Sequence, residues 1–127
     1  MLFRSTLEFW FLIFGALLAL VGALFHGIIG HIKYIGNVNS SDLPDLSKSL
    51  SLVSWHVFTI FLIISSMTLI YVALNPNLYI ALYPIIAINF FGAFLFIILG
   101  FSKHKILLKM PGAYLMGGTA IFALLGI

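Results

Sequence analysis

Cysteine is absent from this chain. That absence excludes disulfides, thiol–disulfide exchange, iron–sulfur clusters and thiolate metal sites together. Any metal ligand must come from histidine, a carboxylate, or backbone and hydroxyl oxygen. Charge is almost as scarce. Only 7% of the 127 residues are charged, six basic and three acidic, where a soluble domain carries about 25%. With 63% hydrophobic residues and a mean hydropathy of +1.23, too few polar groups remain to cover a soluble core, and a membrane protein is expected. Acid is missing where a carboxylate-driven pump would need it, because Glu8 is the only acid within an apolar segment and lies near its end. There is no HExxH pair, no phosphate-binding loop and no serine–histidine–acid set. The net charge of +3 does not imply nucleic-acid binding, since the lysines flank apolar segments, where they anchor at lipid headgroups.

What is present is a succession of four apolar segments. At about 20 residues per span, the length holds four helices and little else. The expected fold is an all-α integral membrane four-helix bundle in one domain, 1–127, with spans near 6–30, 44–74, 78–100 and 106–127. The first run starts near Trp10 and continues to Ile29. That is longer than a signal-peptide core, so an uncleaved first helix is expected. Ser5 or Thr6 can cap it, and Arg4 and Glu8 form an (i, i+4) pair in its first turn. Gly15, Ala19, Ala23 and Gly27 form a row of small residues on one face, which invites close helix packing. Gly22, His26 and Gly30 form the adjacent row, and its glycines leave room for something bulky beside the imidazole.

Residues 31–43 read as the one substantial polar loop, rich in turn formers from Gly36 to Asp42. Pro44 and Asp45 read as the start of the second helix, with acid at the positive end of its dipole. Its first turns are amphipathic, and the fully apolar part begins near Leu52. Asn75-Pro76-Asn77 is a turn. Pro84 falls in the early turns of segment three and can kink it, and Asn89 is a lone amide at mid-depth, suited to an interhelical hydrogen bond. Residues 102–109 are a short basic connection. The last segment, from Pro111, is short for a span.

Four spans put the 1–2 and 3–4 connections on one side, with Lys33, Lys48, Lys103, Lys105 and Lys109. Arg4 and the amino terminus are alone on the other. The positive-inside rule then places both connections in the cytoplasm and both termini outside, in a bacterial inner membrane or an equivalent energy-transducing one.

Histidine is the residue type that points to chemistry. His26 lies about a turn from the cytoplasmic end of segment one and His31 just beyond it. His56 enters segment two from the same side, and His104 lies in the 3–4 connection. Imidazole inside or near hydrocarbon is costly and usually partnered. Neutral imidazole ligates Zn, Cu, Fe and Ni or serves as an axial haem ligand. His26 and His56 on neighbouring helices are expected to form the core pair, able to hold a haem b or a transition metal such as Cu, Zn or Fe. His104 and His31 would add metal ligands, with Asp42 and Asp45 available to complete the shell. Trp55 and Thr59 are expected beside the pair, with Thr59 either bonding an imidazole or bonding back to its own helix. The same residues also read as ordinary membrane chemistry: interhelical hydrogen bonds for the histidines and an interfacial belt position for Trp55.

Phe25-His26 through Gly30, then Leu43-Pro44, then Trp55-His56-Val57-Phe58-Thr59, resembles a group of small uncharacterised bacterial four-helix membrane proteins. In these a histidine ends helix 1 and a Trp-His pair opens helix 2. The resemblance covers the first half of the chain best, and it implies a four-helix fold and weight on His26, Trp55 and His56. Members often carry an acid near the position of His31, and a histidine or basic residue before the proline of the last helix, which His104 and Pro111 match loosely.

Three functions remain open on these residues, and whether the chain is an enzyme is open with them. The first is a membrane protein that binds a transition metal or haem for redox or metal handling. The second is a non-catalytic accessory subunit of a larger membrane complex. The third is a small oligomeric transporter or channel, the least favoured because polar groups are missing at mid-membrane. Lipids, a second copy of the chain or a larger complex are the expected partners.

Overall fold

A computed structural model describes residues 5–127; Arg4, and with it the Arg4–Glu8 pair, lies outside them. Among the described residues the chain is helical with no strand. Helix α1 runs continuously over Thr6–Asn39, α2 over Asp45–Leu74, α3 over Leu82–Phe101 and α4 over Gly112–Leu125. A 3₁₀ turn at Pro76–Ala81 leads into α3, and another at Lys105–Lys109 precedes α4. The first three helical stretches are long and apolar enough to cross a membrane, and the fourth is shorter.

The local chemistry sets most of these ends. Ser5 caps α1 in a reciprocal box: its hydroxyl accepts from the Glu8 amide at 3.2 Å, and Glu8 Oε2 accepts from the Ser5 amide at 2.8 Å. Pro44 sits at the entry of α2, where its missing N–H costs nothing, and Asp45 follows in the first turn. Pro84 falls in the first turn of α3. The non-helical backbone angles fall at Leu78 in the preceding turn and not within α3, where first-turn amides have few intrahelical partners to lose.

One expectation fails in α1. The helix does not stop at residue 30. It continues to Asn39, so the connection to α2 is only residues 40–44 rather than 31–43. Over Phe25–Ile35 it runs as a π-helix, with wider i→i+5 turns. The cause is a side chain from α2. The Trp55 indole N–H donates to the His26 carbonyl at 2.9 Å. Its ring fills the space at Gly30, where a Cβ would overlap Trp55 Cζ2. A side chain bonded into the backbone ladder of a neighbouring helix is a recognised origin of helix distortion. Turn formers such as Asn37 and Asn39 are carried into the helix because Ile35 is buried and holds that stretch to the bundle.

Helix α1 is the centre of the assembly. It packs against α2 on one side and α4 on the other, while α3 packs against α4. The small residues Gly15, Ala16, Ala19, Gly22 and Ala23 are buried along it, so the neighbouring backbones approach closely. Leu12, Leu69, Val72 and Leu82 are fully buried near the 74–82 turn, and Ala23, Leu62, Ala93 and Met116 form a second cluster toward the other end. Polar groups tie the helices across. Ser66 Oγ donates to the Ala16 carbonyl at 2.8 Å. Asn89 Nδ2 donates to Ser65 Oγ at 3.1 Å, the interhelical bond expected of it, and to its own helix at Ile85. Helices α2 and α3 meet chiefly at their shared turn. At the opposite end, a groove lined by Ser51, Ser54, Gly92 and Leu95 opens between them.

Candidate functional site

Five of the residues singled out by the sequence, His26, His31, Trp55, His56 and Thr59, gather at that open end, on the contact between the π-helical stretch of α1 and the first half of α2. The wide turn decides which of them meet. In an α-helix, residues five apart point about 140° away from each other. In a π-helix, five residues complete more than one turn, so His26 and His31 both face α2.

His26 is half-buried and fully engaged on one side. Its Nδ1 lies 2.9 Å from Thr59 Oγ1. The imidazole stacks on the Trp55 indole, centroids 3.9 Å apart and planes 10° apart, and Phe58 meets it edge-on. Thr59 donates onward to the Trp55 carbonyl at 3.4 Å. Tyr34 leans on the other part of the indole, 5.7 Å between centroids. Gly27 permits this, since a Cβ there would sit 2.9 Å from Thr59 Cγ2.

His31 and His56 form the second unit. His31 Nδ1 and His56 Nε2 are 3.0 Å apart, and the rings are tilted by 36°. This imidazole–imidazole contact lies at the exposed rim, one helical turn beyond His26. The core pairing therefore differs from the one expected. His56 is joined to His31, expected only as an additional ligand, and His26 is joined to Thr59. His104 is exposed at the start of the 105–109 turn, and its side chain has no hydrogen bond or ring contact among the described residues. Asp42 and Asp45 are exposed at the entry of α2. Among the described residues, no three His, Asp or Glu side chains stand together in a metal-ligand group, so the three- or four-imidazole set is not assembled within the chain. The cavity beside His26 is about 100 Å³, far smaller than a haem macrocycle.

Tyr34 and Phe58 belong to the site and were not singled out beforehand. Phe58 lies three residues after Trp55, on the same face of α2, but Tyr34 becomes visible only once α1 extends past residue 31. In comparisons with known proteins, no family model, no curated protein and no solved structure matches the chain.

Proposed function

We propose that the chain is an integral membrane protein whose His31–His56 pair binds a divalent first-row transition metal, Cu(II) foremost, at the cytoplasmic face of a bacterial inner membrane. Both termini lie outside in this reading, and all four helices cross. The lysine asymmetry supports that orientation. Helix α4 has 14 residues, or about 21 Å at 1.5 Å per residue, against roughly 30 Å of hydrocarbon. The apolar Ile106, Leu107 and Leu108 of the preceding turn supply part of the difference.

The observation that carries the metal reading is the 3.0 Å separation of His31 Nδ1 and His56 Nε2. With metal–nitrogen bonds of about 2.0–2.1 Å, that separation subtends about 90–97° at an ion between them. A near-right angle suits tetragonal Cu(II) or Ni(II) better than tetrahedral zinc, and Cu(II) heads the affinity order for nitrogen ligands. Metal entry would replace the hydrogen shared by the two rings, with a small ring rotation to converge both lone pairs. Two protein ligands leave the remaining positions to water or to a donor from elsewhere. Such an open site suits acquisition and hand-over of an ion more than permanent storage. The weight that the bacterial four-helix resemblance places on Trp55-His56 agrees with this reading.

Equilibrium dialysis of the purified protein against Cu(II), after chelator treatment, tests it. One copper per chain is expected, with loss of binding in His31→Ala and in His56→Ala and retention in His104→Ala. Equal binding by the His31→Ala/His56→Ala double variant would overturn the assignment.

A further inference from the structure

The entry of α2 carries two opposite charges that the fold leaves unused. Asp45 and Lys48 stand on the same helix, at an (i, i+3) spacing that puts Cβ atoms about 5–6 Å apart. Opposite charges so placed can pair. Here they form no ion pair with each other or with any other described residue. Asp45 is exposed and Lys48 is half-buried. Ser51 follows Lys48 one turn later on the same face. Neither its hydroxyl nor that of Ser54 has a hydrogen-bond partner among the described residues.

Ser51 and Ser54 line the groove between α2 and α3. Its other walls are the end of α1 at Val38, α2 down to Phe58, and α3 at Leu95 and Phe96. From Ser51 to Phe58 it follows α2 for about 10 Å, at 1.5 Å per residue. It therefore runs from the polar entry of α2 into the apolar span, across much of a leaflet whose hydrocarbon is about 15 Å deep. The groove holds about 540 Å³, within the range of clefts that take one small ligand. A helix about 10 Å across fills that volume in little more than one turn, whereas a single hydrocarbon chain lies along it.

The two ends of this face ask for different chemistry, and one kind of molecule supplies both. The groove takes a hydrocarbon tail. Lys48 has three N–H donors for a phosphate oxygen, and a lysine stem lies along apolar surface while its ammonium stays at headgroup level. Asp45 takes a cation. Asp42 is a further exposed acid at the same entry, so a headgroup with net negative charge is repelled. We propose that this face binds one phospholipid with a primary-ammonium headgroup, of the phosphatidylethanolamine type. Its phosphate sits on Lys48, its ammonium on Asp45 and one acyl chain in the α2–α3 groove. Asp45 selects the primary ammonium, because a charge-assisted hydrogen bond needs an N–H and a quaternary ammonium has none. The inference rests on the membrane-spanning part of the reading above and not on its copper.

The test uses the whole purified protein in detergent micelles, freed of metal by chelator, with bound lipid counted by native mass spectrometry. Dioleoyl phosphatidylethanolamine is the probe, and the dioleoyl forms of phosphatidylcholine and phosphatidylglycerol are the comparisons. One phosphatidylethanolamine per chain is expected, bound about threefold more tightly than phosphatidylcholine, the scale of an exposed charged contact, and more tightly than phosphatidylglycerol. Asp45→Asn should bring phosphatidylethanolamine down to the level of phosphatidylcholine. Lys48→Gln should weaken both alike, since both carry the phosphate. Ser54→Phe places a ring in the groove from an exposed position and should remove both lipids while the far-ultraviolet circular dichroism stays that of the parent. Equal affinity for phosphatidylethanolamine and phosphatidylcholine, tighter binding of phosphatidylglycerol, discrimination that survives Asp45→Asn, or unchanged retention in a folded Ser54→Phe would each overturn the proposal. Every sample is free of metal, so failure here and failure of the copper reading are separable.

Discussion

Two glycines of the same helix should respond to alanine with opposite signs. In an ordinary helix interior, Gly→Ala stabilises by about 0.5–1 kcal/mol, through lower backbone entropy in the unfolded chain. Gly36 is helical, and an added Cβ meets nothing within 4 Å, so Gly36→Ala should gain up to about that amount. Gly30 is different. A Cβ there overlaps Trp55 Cζ2, and Cε2 lies only 3.2 Å away. The indole is held from both sides, by its bond to the His26 carbonyl and by its stack on the His26 ring. To clear the methyl it must give up a hydrogen bond worth about 1 kcal/mol and ring stacking worth about 0.5–1.5 kcal/mol, or else α1 and α2 must separate. Overpacking of this kind costs about 1–3 kcal/mol. Set against the propensity gain, Gly30→Ala should destabilise by about 1–2 kcal/mol. Reversible unfolding in mixed micelles with rising dodecyl sulfate fraction, followed by far-ultraviolet circular dichroism, measures both variants. The penalty should vanish in a Trp55→Ala background, since the obstructing ring is gone. If both glycines shift in the same direction, or if the Gly30→Ala cost persists without Trp55, the wedge account of the π-helical stretch is wrong.

Other consequences follow from the same contacts. Thr59→Val keeps the shape but removes the partner of His26 Nδ1, and it should cost about 0.6–1.7 kcal/mol in the same unfolding assay, the range for interhelical hydrogen bonds in membranes. Ring ¹⁵N shifts of His26 should change in that variant, because Nδ1 loses its 2.9 Å partner. Ser66→Ala, which removes the bond to the Ala16 carbonyl, should cost about 0.6 kcal/mol and leave copper binding unchanged. His104→Ala, exposed and without side-chain partners among the described residues, should stay within about 0.5 kcal/mol of the parent stability.

What could be read from the residues divides along physical lines. The four apolar segments are visible because hydropathy is a property of each segment alone, and helix length follows directly from it. The entry of α2 at Pro44-Asp45, the Ser5 cap and the Asn89 cross-link are local chemistry and equally visible. The small-residue row of α1 shows as a close-packing face, although only the structure reveals that Gly30 accommodates Trp55 in particular. The widening of Phe25–Ile35 leaves no local trace. It arises from the side chain of Trp55, twenty-nine positions away from the His26 carbonyl it bonds, and α-helical periodicity read through His31 necessarily puts that residue on the wrong face. The helix end was misplaced for the same reason, since Gly36, Asn37 and Asn39 are turn formers by propensity alone. Both errors changed the site. His31, expected as an added ligand, is the partner of His56, and the expected His26–His56 pair is two units, His26–Thr59 and His31–His56.

The most direct test of the central claim is the electron paramagnetic resonance spectrum of the Cu(II)-loaded protein. A tetragonal signal is expected, with nitrogen superhyperfine structure from two imidazoles. It should drop to one nitrogen or disappear in His31→Ala and in His56→Ala and persist in His104→Ala. An unchanged spectrum in the His31→Ala/His56→Ala double variant, or loss of the signal in His104→Ala, would contradict it.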